Sequence, residues 1–168
     1  QLLLEEFPQQ IQSNLNEQSG FIRNLARKNS KVHDWLFLGC GVYYPIALES
    51  ALKMKEVTYL HAEGMGGGFL KHGTLAMVEA TLNSLFFIPP PEDKILHERT
   101  LIAVEEVKAR GGVVLGLMFQ HDEQAKKLVE QAILLPRVSF LVAPMLQMIM
   151  AQLLSYYCAL DLGRNIDK

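Results

Sequence analysis

Leu38 to Gly73 reads LGCGVYYPIALESALKMKEVTYLHAEGMGGGFLKHG. It parses as the end of a buried strand, a tight glycine turn, a helix, a second strand, a glycine-rich loop and the start of another helix. Within the helix Glu49, Lys53 and Glu56 stand at i, i+4 and i+7, so the three side chains lie along one face. An acid, an amine and an acid in one line, followed by Lys71-His72-Gly73 beyond the glycines, supply the groups that general acid–base proton transfer requires.

Outward from this stretch the pattern repeats. Asp34 to Leu38 (DWLFL), Val57 to His61, Ser84 to Ile88 (SLFFI), Val113 to Phe119 (VVLGLMF) and residues 139–143 read as strands. Between them, 92–110 predicts a helix with Glu92 and Asp93 at its start, Lys108 and Arg110 at its end and Gly111 as its stop. His121 to Leu134 predicts another, and a last buried helix starts near Pro144. Residues 8–28 carry apolar positions at helical spacing, which predicts one or two lead-in helices. Nearly continuous apolar strands alternating with helices argue for a five-stranded parallel sheet covered on both faces, an α/β fold of three layers. Ligands of such sheets sit at the carboxyl ends of the strands where strand order reverses, so the Gly39-Cys40-Gly41 turn and the GMGGG loop should face one crevice.

The 168 residues carry a net charge of −2 and no basic cluster with interleaved aromatics, which makes no case for nucleic acid or an anionic membrane as partner. Cys40 and Cys158 lie far apart without metal-ligand spacing, so a reduced, cytoplasmic setting is expected and no metal site is indicated. Acids near Gln1 and no apolar run long enough for an h-region give no expectation of a signal peptide in these residues, and the lack of an initiator Met suggests a piece of a longer protein. Val138 to Leu160 is apolar, but Pro144, Gln147, Gln152 and Ser155 interrupt it, which argues against a membrane span.

The residues alone leave several alternatives open. Gly39-Cys40-Gly41 lacks the third glycine of the dinucleotide fingerprint, replaced by Tyr44, yet the turn can offer backbone N–H groups to an anion. Glu49, Lys53 and Glu56 are either a catalytic row or a solvated helix face with an ion pair. His72 is either a catalyst or a capping or core histidine, and His33, His61, His97 and His121 form no metal cluster. The glycines of GMGGG are either a surface turn or a place of close backbone approach.

The run GxxYPIALESALKMKE…HAE…GGFLKHG…LAMV, with VEEVKARGG at 104–112 and the AP…QLLSYYCAL segment after 143, resembles the glucosamine-6-phosphate synthase family, the glutamine:fructose-6-phosphate amidotransferases. The part it resembles is the second of the family's two sugar-isomerase (SIS) subdomains. The resemblance implies a flavodoxin-like SIS domain over 33–168, one half of a two-SIS isomerase unit, with 1–32 as a helical lead-in. It implies ketose-to-aldose proton transfer in the conversion of fructose 6-phosphate to glucosamine 6-phosphate. Glu56 then moves the proton between C1 and C2, Lys53 helps hold the ring-opened intermediate, and His72 opens the ring from across a dimer interface. Glu49 matches a further glutamate of the site, with Gly41 and Lys71 as supporting residues. A homodimer paired with a first SIS half is implied, and neither metal nor redox cofactor.

The chain departs from the family pattern at Phe69, where a glutamate is usual, at Thr74 for proline, at Cys40 for the arginine of GRG and at Ser50 for glycine. The serine- and threonine-rich phosphate loop, the glutaminase domain and the lysine-bearing tail of the family are not in these residues, which alone should not make glucosamine 6-phosphate. Two other readings remain: a sugar-phosphate isomerase or amino-sugar-phosphate deaminase of SIS type without a glutaminase domain, and a non-catalytic sugar-phosphate-binding or dimerisation module.

Overall fold

The computed structural model describes residues 2–167; Gln1 and Lys168, the outermost residues of the two spans expected above, lie outside the described residues. Helix α1 (Leu2–Lys28) leads into strand β1 (Asp34–Gly39), helix α2 (Tyr44–Thr58) and strand β2 (His61–Gly66). Strand β3 (Leu82–Phe87), helix α3 (Lys94–Ala109) and strand β4 (Val113–Phe119) follow. A single turn α4 (Glu123–Lys126), strand β5 (Gln131–Leu135) and helix α5 (Ala143–Asp161) complete the chain. The strands form one sheet in the order β2-β1-β3-β4-β5, and every neighbouring pair is parallel. That is the flavodoxin-like order, with the reversal beside β1.

β1, β3 and β4 are strands because both of their faces are covered. Trp35, Phe37, Leu85, Phe87, Leu115, Leu117 and Phe119 share a core with α1, α2 and α5. Leu36, Leu38, Phe86, Val114 and Met118 share a second core with Leu101, Val104 and Val107 of α3. Alternation of side chains along each strand sends consecutive residues into opposite layers, which is why these segments read as unbroken apolar runs. The lead-in is one helix, and it belongs to the core: Ile22 and Ala26 are fully buried against the sheet's α5 side.

Two expected strands lie elsewhere. Residues 57–61 do not form β2, because the helix continues through Val57 and Thr58. The Thr58 hydroxyl donates to the Met54 carbonyl at 2.6 Å, and the chain turns only at Tyr59, in the left-handed region at φ 62°. The strand is His61–Gly66, which absorbs half of the supposed glycine loop. A Cβ on Gly64 would stand 2.6 Å from Leu48 Cα and 2.7 Å from the Ala47 carbonyl oxygen. The close approach at this glycine is to the backbone of α2. No α-helix starts at Lys71; two 3₁₀ segments, Gly67–His72 and Thr74–Met77, fill that region.

Nor do 139–143 form β5, or 121–134 a helix. Only Glu123–Lys126 is helical there, capped by the Asp122 side chain on the Ala125 N–H at 2.9 Å, and Gln131–Leu135 pairs with β4. Pro136 follows directly and prevents the strand from continuing as a ladder donor. Phe140 and Leu141 are exposed, and the Ser139 carbonyl accepts from the N–H groups of Val142 and Ala143, so the SFLVA run is the entry to α5.

Candidate functional site

The turn after β1 and the end of β2 share one crevice. Gly39, Cys40 and Gly41 form one wall with Gly66, Gly67 and Gly68, and the opposite wall is one face of α3 carrying Leu96, Arg99, Ala103 and Glu106. The cleft has a volume of about 540 Å³, and Tyr44, Phe69 and Ile102 stand at its mouth. Gly41 takes φ 56°, a left-handed turn that a side chain would strain and that would drive a Cβ into Leu96. A Cβ on Gly67 would sit 2.9 Å from Cys40 Sγ, so the two loops meet at a glycine and a small buried thiol. Lys71 leans over the cleft to Glu106, Nζ to Oε1 at 2.9 Å.

The charged row of α2 is a separate place. Lys53 Nζ donates to Glu56 Oε2 at 2.7 Å and stands 3.8 Å from Glu49 Oε1, so one ammonium bridges two carboxylates along the helix. The hydrogen bond to Glu56 holds Lys53 above the ordinary lysine pKa, against some loss of hydration and with the charges of both glutamates adding to it. The three side chains are 37%, 37% and 48% exposed, for Glu49, Lys53 and Glu56 in that order. Leu48 and Leu52 on the same helix are also exposed, while Ala47, Ala51 and Met54 face the core. None of the three charged residues lines the cleft.

Of the sequence-derived candidates, the fold brings Glu49, Lys53 and Glu56 together, and it brings Gly41 and Lys71 together in the cleft. His72 belongs to neither group within this chain. It is exposed, with its ring 6.3 Å from the Phe69 ring, on the 3₁₀ segment beyond β2. Among the described residues, no group of three or more His, Cys, Asp or Glu is placed to hold a metal ion.

Several polar residues of this end of the molecule carry no signal in the sequence. Arg99 and Glu106 line the cleft only because α3 crosses it. His97 and Asp122, remote in sequence, meet at 2.7 Å with side chains 5% and 1% exposed, tying α3 to the turn after β4. Burial pushes the Asp122 carboxyl up, but the His97 hydrogen bond and the N–H groups of Ala125 and Gln124 outweigh it and hold the group below the ordinary aspartate value. Glu92 gathers Arg137 at 2.5 Å and His121 at 3.3 Å at the same edge. A periodicity argument sees each of these as an isolated charge.

The sheet order and the strand-end cleft define an open parallel α/β domain, and the SIS-domain family profile matches residues 30–161, most of the chain. The chain belongs to the SIS-domain family. It is 40% identical over 166 residues to the isomerizing glutamine–fructose-6-phosphate aminotransferase of Methanothermobacter thermautotrophicus, covering 98% of this chain and 28% of that one. To the protein of the same name from a Synechocystis species it is 35% identical over 165 residues, with 98% of this chain and 26% of the other covered. The C-terminal domain of glucosamine-fructose-6-phosphate aminotransferase from Francisella tularensis superposes with a TM-score of 0.86 at 32% identity, over 98% of this chain and 45% of that one. The chain thus spans roughly a quarter of the length of the curated relatives it matches. Among the described residues, no helix is long and apolar enough to cross a membrane.

Proposed function

We propose that this chain is the second SIS half of a two-SIS isomerase unit in a glucosamine-6-phosphate synthase, with 33–168 as the SIS domain and 1–32 as its lead-in. Its reaction step is the ketose-to-aldose proton transfer that turns the imine of fructose 6-phosphate into glucosamine 6-phosphate. Glu56 takes the proton from C1 and returns it to C2. Lys53 steadies the charge of the open-chain intermediate, Glu49 fixes Lys53 from the other side, and His72 of a second subunit exchanges the proton of the ring oxygen. Gly41 and Lys71 support from the cleft of the same domain. The phosphate is recognised outside this chain, by a first SIS half.

The observation that carries this reading is the α2 row itself. Two carboxylates share one lysine at 2.7 and 3.8 Å on a face that is partly open and flanked by exposed Leu48 and Leu52. A general base has to be held beside its partners and reachable by substrate, and a partly open face with its ion pairs in place and its far side free for another unit accords with that role. The similarity to the aminotransferases named above supports the same assignment. A cytoplasmic setting accords with the two buried, unpaired cysteines. The reading carries a homodimer and no nucleic-acid or membrane partner.

Subunit mixing in the complete protein tests it. Glu56→Gln and His72→Ala should each be nearly inactive. If His72 serves the neighbour's site, an equal mixture of the two, dissociated and reassociated, recovers about a quarter of wild-type activity, because a twofold assembly of unlike protomers rebuilds one intact site of two. A mixture as inactive as its components would place His72 in its own subunit's site or outside the mechanism.

A further inference from the structure

α2 is fastened at its C-terminal end by a residue from the far end of the chain. After α5 the backbone makes a tight turn, with Gly163 at φ 65° and the Arg164 N–H donating to the Ala159 carbonyl at 2.9 Å. From that turn Arg164 Nε donates to the Thr58 carbonyl at 3.1 Å, and its guanidinium lies 5.1 Å from the centre of the Tyr59 ring. Thr58 is the last residue of α2, Tyr59 is the left-handed residue that ends it, and Glu56 lies in that same last turn. The last carbonyls of a helix have no partner within it, and a cation there meets both an unsatisfied acceptor and the negative end of the helix dipole. Near the other end, α2 rests on Gly64, which admits no side chain between β2 and the Ala47–Leu48 backbone.

We propose that Arg164 is a positioning residue for Glu56 and the charged row of α2. The inference rests on the proposed function, since it gives Arg164 a task only if that row performs the proton transfer. Arg164 does not touch Glu56; it acts by holding the last turn of the helix that presents Glu56. The Thr58 hydroxyl already bonds Met54, and the Tyr59 N–H bonds the Lys55 carbonyl, so the turn is held from inside the helix, and Arg164 adds the anchor to α5. Without it the turn stays helical but is free to shift, and a displacement of about 1 Å at a catalytic group costs up to about 100-fold in rate.

The experiment uses the complete protein and three variants, Arg164→Ala, Arg164→Lys and Glu56→Gln, each measured for kcat, KM for fructose 6-phosphate and thermal unfolding. Arg164→Ala should lose roughly 10- to 100-fold in kcat with KM within about threefold. Millimolar guanidinium should restore part of that loss, and Arg164→Lys should fall between, because lysine keeps the charge but not the planar donor that also stacks on the ring. Should Arg164→Ala fail to fold, the kcat of Arg164→Lys and its response to guanidinium decide. Wild-type kcat in the Arg164 variants alongside an inactive Glu56→Gln overturns the role of Arg164 alone. Losses of kcat that follow unfolding and ignore guanidinium make the residue a structural cap and also overturn it. Full activity in Glu56→Gln removes the row from the mechanism and both proposals with it.

Discussion

The strand-end cleft and the charged row of α2 each carry a lysine–glutamate ion pair and differ in construction. The strand-end cleft is enclosed within the chain, floored by glycines and bridged by Lys71–Glu106. The α2 row is open, and its Glu49–Lys53–Glu56 contacts are all within one helix. A site that is complete within one chain is walled by several elements, as the cleft is. On the proposed reading, the charged row presented outward on α2 is half of a site. The chemistry then lies on a surface that a second unit closes, rather than in the strand-end cleft of the chain that carries the groups.

The strongest way to sharpen that contrast is to separate the two faces of α2. Met54 is fully buried beneath the charged row, so Met54→Ala should destabilise the domain by about 2–5 kcal/mol through lost burial and the cavity left behind. Urea unfolding checks this. Neutral substitution of Glu49 on the outer face should leave the unfolding midpoint nearly unchanged, since its side chain is partly exposed and its ion pair lies at the surface.

The cleft side predicts a smaller, pH-dependent effect. Asp122 holds a carboxyl whose pKa is lower folded than unfolded, so the unfolded chain binds more protons as pH falls toward it. Its contribution is complete above the ordinary aspartate value of about 3.9 and is lost as pH drops through the lower folded value. Asp122→Asn should cost about 1–3 kcal/mol at neutral pH by weakening the buried pair with His97, and should flatten the acid limb of the stability curve. Chemical denaturation between pH 3 and pH 7 measures both. An unchanged acid limb would show that other carboxylates govern it.

The smallest effect belongs to Phe69, 62% exposed at the mouth of the cleft. Phe69→Ala should change stability by no more than about 0.5 kcal/mol, as expected of an exposed position. A larger loss in the assembled protein than in the isolated chain would mean that a neighbouring unit covers the ring.

The layers and the charged row were legible in the sequence for a physical reason. β1, β3 and β4 are buried on both faces, so their composition alone marks them, and i, i+4, i+7 spacing places Glu49, Lys53 and Glu56 on one face of any helix. β2 was hidden because Gly64 serves the approach of α2, a tertiary requirement that mimics a loop in one dimension. β5 was hidden because its apolar residues continue a helical period from Leu128, while the exposed run at Phe140 and Leu141 imitates a strand. Arg99, Glu106 and Arg164 gain meaning only from what the fold sets beside them, across α3 in the first two cases and at the end of α2 in the third.

The most direct test of where the chemistry lies is exchange of the sugar's reacting-carbon proton with deuterated solvent in the complete protein, comparing Glu56→Gln with the cleft variant Arg99→Gln. Glu56→Gln should lose about 10²–10⁴-fold in exchange, because the amide keeps the shape of the side chain without its basicity, while Arg99→Gln should stay within a fewfold of wild type. Exchange that survives in Glu56→Gln and collapses in Arg99→Gln would move the reaction into the cleft and leave the α2 row as a surface ion pair.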